Sequence, residues 1–317
     1  MKSIDKHQND ITRREFVQNG ASTALCASAA AKAWIPEGIA ESKRETGTMT
    51  DMRCLDIATH FRSRGSWVDW GSTTDTFKTG DPSKPVRRVA VAWKASWDAL
   101  REAVNRGADL FVSHESICVN AENGSPDPEI VHALPTELPK FEWLEETGLV
   151  VYRCHDFWDR YPNEGIRDSW QRGLDIGAGI VADEYPLYVT EIEPTTVRDL
   201  ANHVLRRISP LRQNGVMVSG DLDRRVNKVA TGTGVTNKPV KMIELGANVG
   251  ILTDDYYLHV RMGVHAGELD FPTIVVNHGV AEEWGIRNLA AYMRREFPEL
   301  EVFHIPQYCP YTVLVDS

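Results

Sequence analysis

The chain has 317 residues, 42% hydrophobic and 25% charged, with a formal net charge of −10. That excess of acid argues against a nucleic-acid partner, because neutralising phosphate takes clustered Lys and Arg; pairs such as Arg224-Arg225 and Arg294-Arg295 read as solvated surface. No run approaches the roughly 20 apolar residues that cross a bilayer, and the length suits one large α/β domain or two lobes around separate cores.

In chain order, the first feature is Arg13-Arg14 after a threonine, with Phe16 two residues on and a weakly apolar, Ala-rich stretch behind it. Ala27-Ser28-Ala29 and Ala31-Lys32-Ala33 are small-residue cleavage sites. Residues 1–33 therefore read as a twin-arginine export signal, with a surface extension as the alternative. The expected location is periplasmic or extracellular, with no membrane attachment once the signal is removed. Residues 34–50 read as a linker, and residues 51–317 as a single metal-binding α/β domain. Cys26 leaves with the signal. Cys54, Cys118, Cys154 and Cys309 show no zinc-type spacing, so they are either buried thiols or a disulfide that sequence cannot pair.

Helical spacing of apolar residues predicts a helix in "DMRCLDIATHFRSRG", followed by a polar loop, "WVDWGSTTDTFKTGDPSKP". "VRRVAVAW" reads as a strand. "KASWDALREAVNRGADL" reads as a helix capped by Ser96 and stopped at Gly107. "DLFVSHES" is the next strand, "LPKFEWLEETG" a helix, and "LVVYRCHDFWDR" a strand running into a charged loop. In the second half "YPLYVTEIEP" predicts a strand. "TVRDLANHVLRRI" predicts a helix with Val197, Leu200, Val204 and Ile208 on one stripe. "VMVSGDLDRRVNKVATGTG" reads as two paired strands with a turn near Asp221, and "KPVKMIELGANVGILTDD" as helix then strand. "TIVVNHG" predicts a strand, "AEEWGIRNLAAYMRREFP" a helix ended by Pro298, and "LEVFHIP" the last strand. This alternation predicts an α/β fold of two lobes with mixed, largely parallel sheets.

Three of these strands end in histidine. His114 is followed by Glu115; His155 by Asp156, with Asp159 four residues on; His278 has Glu282 four residues on. In α/β sheets ligands bind outside the carboxyl ends of strands. A lone histidine there is most often an ordinary core or surface residue. Three such ends, two with an acid at the fourth position, point instead to a metal centre between the lobes. Imidazole with carboxylate suits Zn, Mn, Fe or Co. The number of donors exceeds what one tetrahedral ion needs and fits two divalent ions that share carboxylates. Without cations, Glu115, Asp156, Asp159 and Glu282 would repel one another at a desolvation cost that nothing else in the pattern offsets.

These segments resemble the NGG-interacting factor three-like family, dinuclear-metal proteins often labelled "GTP cyclohydrolase I type two homologues". The resemblance runs from about Asp51 to the C-terminus. It rests on "RVAVAWKASWDALREAVNRGADLFVSHES", "GLVVYRCHDFWD", "VATGTG…ELGANVGILTDD" and "VVNHGVAEEWGIRNLAAYMRREFP". It implies His114 as a metal ligand of the first motif, His155 and Asp159 as the H-x-x-x-D element with Asp159 bridging, and His278 and Glu282 as the late H-x-x-x-E element. It also implies a hexamer whose metal sites face an inner cavity, in the compact form without an inserted middle domain. One departure stands out: the family's first motif usually carries two consecutive histidines, and here the second is Glu115. A carboxylate there either ligates, favouring harder cations, or weakens one metal position. Asp156 reads as an extra ligand or a base, and His155 as a ligand or as the residue that orients Asp159.

The Gly-rich "TGTGVTNKP" lacks both phosphate-loop patterns and reads as a tight turn more readily than as a phosphate cradle. His259 and His265 are further candidates for lining the same cavity, while His60, His132, His203 and His304 read as surface or core residues. No G-x-S-x-G or Cys-His arrangement argues for covalent catalysis. The function expected is metal-dependent hydrolysis of an unidentified small molecule bearing a phosphate-ester, nucleotide or amide-like bond. The metal ligands would be His114, Glu115, Asp159, His278 and Glu282, and the proton carrier Asp156 or His155. The alternative is a non-catalytic metal-binding or assembly protein.

Overall fold

The computed structural model describes residues 52–119, 129–177, 179–234, 238–257 and 267–314. The segments read from sequence as export signal and linker, and His259 and His265, lie outside them. The strands form two sheets. The first has the order β1 (Phe77–Thr79), β4 (Val150–Arg153), β3 (Leu110–Glu115), β2 (Arg88–Lys94) and β11 (Glu301–His304). Only its edge strand β1 is antiparallel. The second has the order β5 (Ile180–Glu184), β6 (Leu187–Thr196), β8 (Arg225–Thr231), β9 (Val249–Thr253), β10 (Thr273–Val276) and β7 (Met217–Ser219). Within it β8, β9 and β10 run parallel. The fold is thus α/β with two mixed sheets. The helices in chain order are α1 (Cys54–Arg64), α2 (Trp97–Asn105), α3 (Leu138–Thr147), α4 (Asp156–Asp159), α5 (Ile166–Leu174), α6 (Val197–Ile208), α7 (Pro239–Glu244), α8 (Asp254–Tyr257) and α9 (His278–Glu296).

Central strands β4, β9 and β10 are buried along their whole length, as expected where both faces of a parallel sheet are covered. Helix α6 turns Val197, Leu200, Val204 and Ile208 into the second sheet's core, and Ser96 caps α2 by accepting the Ala99 amide. Three sequence expectations need correction. The segments around Asp221 are strands but not partners: β7 pairs with β10, and β8 lies between β6 and β9. The turn between them is used elsewhere, since the Arg224 carbonyl accepts the Val197 amide and the Leu222 carbonyl the Arg198 amide at the start of α6. The polar loop after α1 contains β1. The charged loop after β4 contains α4, with α5 close behind it. Among the described residues the four remaining cysteines are free, three of them buried.

Helix α9 links the lobes. Asn277 caps it by accepting the Val280 amide. Its first turn, Val280 and Ala281, packs in the second sheet's core with Ile274 and Val276. Farther along, Ile286, Leu289 and Met293 pack in the first sheet's core with Val89, Val91 and Leu110. The chain then pairs β11 with β2. At Gly285 the helix crosses α5 so closely that a Cβ would lie 2.7 Å from Ile166 Cδ1 and 2.9 Å from its Cα. Ala in a helix interior ordinarily gains ~1 kcal/mol over Gly, but here the backbone opposite cannot yield. Gly285→Ala should therefore destabilise by about 1–3 kcal/mol, the cost of overpacking. A thermal melt with an unchanged or raised midpoint would show the crossing to be looser than this.

Candidate metal centre

The carboxyl ends of β3, β4, β9 and β10 meet at a cavity of about 570 Å³. Its walls include Glu115, His155, Asp156, Asp159, Asp255, His278 and Glu282. His114 lies just beneath, fully buried. Its Nδ1 sits 3.1 Å from the Cys154 carbonyl oxygen. A carbonyl only accepts, so Nδ1 carries a proton, and in the neutral ring the lone pair is on Nε2. That Nε2 is 3.4 Å from Asp159 Oδ1 and 3.4 Å from Glu282 Oε2, yet it makes no hydrogen bond among the described residues. In that state the buried nitrogen, set between two carboxylates, could serve as a metal ligand.

The other donors surround this point. Glu282 is nearly fully buried, and its Oε2 accepts the Trp93 indole N–H at 2.7 Å. Its Oε1 lies 2.9 Å from His278 Nε2. Glu115 Oε1 lies 3.8 Å from His278 Nε2 and 4.0 Å from His155 Nε2. His155 stacks on His114, with centroids 4.5 Å apart. Three sets of ligand atoms converge within 4.8 Å: His114, Asp159 and Glu282; Glu115, His278 and Glu282; and His114, Glu115 and His155. Six of the seven residues singled out from sequence are in these sets. Asp156 is outside them, because Oδ1 faces His155 Nδ1 at 3.0 Å and Oδ2 accepts from the Thr73 hydroxyl and the Thr74 amide. Glu282 and Glu115 each belong to two sets, whereas Asp159 belongs to one and divides its oxygens between His114 and His155.

The profile of the Duf34/NIF3 (NGG1p interacting factor 3) family matches residues 73–310. The chain belongs to this family. Its fold is that of the solved protein ybgI, described as of unknown function: 20% identity over 82% of this chain and all of that one, TM-score 0.65. A Bacillus cereus protein related to NIF3 matches at 16% identity over 84% of this chain and all of its own, TM-score 0.63. Reduced HcgD from Methanocaldococcus jannaschii matches at 16% identity over 81% of this chain and 98% of its own, TM-score 0.58. A comparison with curated proteins finds no match.

In this NIF3-family chain Glu115 has its own support. Arg153, fully buried, donates through Nη2 to Glu115 Oε2 at 3.1 Å and through Nε to the His114 carbonyl at 3.0 Å. Supports that sequence reasoning missed are as telling. Buried Asp75 accepts the amides of His155, Asp156 and Phe157 at 2.7, 2.8 and 2.9 Å, and so sets the first turn of α4. Asp254 accepts the His278 amide at 3.0 Å, and Asp255 Oδ2 lies 3.3 Å from His278 Nδ1. The strand-end rule applied to "GILTDD" would have found the last two. Asp75 sits in an aperiodic polar stretch that gives no such signal.

The site's electrostatics are reciprocal. Burial alone would lower the histidines, but the acids outweigh it: Asp159, Asp156 and Glu115 push His155 up to about 10. Glu282, Glu115 and Asp255 push His278 up to about 10. Burial would raise the acids, and the imidazoles outweigh it, holding Glu115, Asp159 and Glu282 below their ordinary range. In metal-free protein the protons on imidazole thus act as counter-ions. The raised histidines contribute stability that is full below 6.5 and lost as pH rises through about 10. The lowered acids contribute stability present above 4.5 and lost as pH falls. Metal-free protein should therefore melt highest between about pH 5 and 6.5 and weaken steadily toward pH 10. A midpoint flat across that upper range would refute this coupling.

Proposed function

We propose that the protein binds two divalent ions at this centre and uses them for hydrolysis of a small molecule. The observation that carries the reading is His114: a buried imidazole, its tautomer set by a backbone carbonyl, with its free nitrogen between two carboxylates and no hydrogen-bond partner. One ion would be held by His114, Asp159 and Glu282, the other by Glu115, His278 and Glu282. These mixed nitrogen and oxygen donors suit Mn, Fe, Co or Zn. When bound, such ions lower the pKa of a water and polarise the bond it attacks.

The chain's own groups supply the rest. His155 lines the cavity, and Asp156 orients its ring from Nδ1. Asp156 is itself fixed by Thr73 and Thr74. That arrangement favours His155 as proton carrier and Asp156 as the residue that positions it. Glu282 holds Trp93 and His278 at once, so the indole keeps its carboxylate turned toward the cluster. Tyr185, with its hydroxyl 3.4 Å from Asp159 Oδ2, also lines the cavity. We further read Arg13-Arg14 as the mark of a chain exported already folded, a route that suits metal loading before export.

The shared position of Glu282 gives a sharp test. Elemental analysis of protein as purified should find about two divalent ions per chain. Glu282→Gln should lose both, and Glu115→Gln should keep the ion at His114, Asp159 and Glu282. Chelation should abolish turnover. Full metal occupancy in Glu282→Gln would overturn the assignment, while tight metal binding without turnover across phosphate-ester, nucleotide and amide substrates would leave a non-catalytic metal protein.

A further inference from the structure

Besides its histidines, the cavity wall carries Arg167 and Lys94, with Arg153 buried nearby. Arg153 is held by Glu115 and the His114 carbonyl. Arg167 reaches Asp183 at 2.7 Å and the Tyr188 hydroxyl at 2.7 Å. Lys94 differs. It is the last residue of β2, half-buried and on the cavity wall, and its ammonium has no ion pair among the described residues.

Its surroundings make that absence informative. Lys94 is the register partner of Glu115 on the adjacent parallel strand. An ammonium beside a carboxylate would ordinarily pair with it, but Arg153 already occupies Glu115 Oε2. The Lys94 backbone is clamped by one side chain: its amide donates to Gln307 Oε1 at 2.6 Å, and Gln307 Nε2 donates to its carbonyl at 3.0 Å. Gln307 Nε2 also reaches Ser96 Oγ at 2.9 Å. The strand end is therefore fixed while the four-carbon stem and its three donors remain free to reach a ligand.

We propose that Lys94 is a specificity residue that receives an anionic group, phosphate or carboxylate, on the substrate. The inference rests on the metal-centre reading. Two divalent ions would offset four of the five carboxylate charges lining the cavity, so the Lys94 ammonium is no longer needed as their counter-charge and can meet an entering anion. Lysine is suited to this as a compact charge with rotatable donors. Across the cavity the Gly-rich turn approaches the cluster too: a Cβ on Gly234 would lie 3.7 Å from His278 Nε2. The cavity itself, about 570 Å³, has room for a ligand group larger than water.

The test titrates inorganic phosphate, and separately acetate, into manganese-loaded protein by calorimetry, with metal content measured on the same samples. Lys94→Gln should weaken anion binding about tenfold, the scale of one charge-assisted contact. Lys94→Arg should restore most of the affinity, and bound metal should be unchanged in both. Tighter phosphate than acetate assigns a phosphoryl group, and the reverse a carboxylate. Equal affinity in wild type and Lys94→Gln, or no binding of either anion by the loaded wild type, overturns the assignment of Lys94. A wild type that holds no manganese sinks the metal reading instead. In that sample, phosphate binding that Lys94→Gln abolishes would still uphold the anion site, and its absence would end it.

Discussion

Carboxylates do not gather at a half-buried cavity without counter-charge. Glu115, Asp156, Asp159, Asp255 and Glu282 line one wall system, and the imidazoles of His114, His155 and His278 lie among them. Protonated imidazoles supply the charge in metal-free protein, at the expense of the lone pairs that make histidine a ligand. Divalent cations supply more charge from fewer centres and free those protons, so metal binding and proton release are two sides of one equilibrium. The rest of the structure holds these groups close enough for the exchange to be worthwhile.

That holding is done largely by backbone. His114 is fixed by a carbonyl, the turn of α4 by three amides on Asp75, and His278 by its own amide on Asp254. Such contacts place ligands through the fold rather than through side chains that could swing away. Helix α9 adds the long-range constraint. It roots its first turn in one core and its length in the other, so His278 and Glu282 cannot leave the strand ends of the first sheet without disturbing both cores.

Much of this was legible in sequence. Strand-end histidines with an acid four residues on are visible as a pattern because a strand followed by a helix start puts both side chains on one edge, and the fold class followed from alternation of elements. What stayed hidden depended on partners distant in sequence. Nothing in "VMVSGDLDRRV" says that β7 joins β10 across the chain rather than β8 beside it. Asp75, among threonines, carries no periodic signal, yet it sets a turn eighty residues on. Asp156 reads from its place after His155 as an extra ligand or a base; that Thr73 and Thr74 hold its other oxygen is not visible in the sequence.

The departure at Glu115 can be argued further. Arg153 spans His114 and Glu115, binding the carbonyl of one and the carboxylate of the other. Replacing Glu115 by a neutral histidine would leave this buried guanidinium without its nearest acid, with Glu129 Oε1 next at 3.8 Å. Removing one partner of a buried ion pair is costly, typically about 3–5 kcal/mol. The acid at 115 and the base at 153 therefore form a unit, and restoring the family's second histidine alone should not recreate the family's site. Because Arg153 occupies Oε2, Glu115 presents only Oε1 to His155 and His278. Were a cation held there, a single carboxylate oxygen would suit harder cations than an imidazole nitrogen, and with Arg153 committed there, Lys94 on the next strand stays available to an incoming anion.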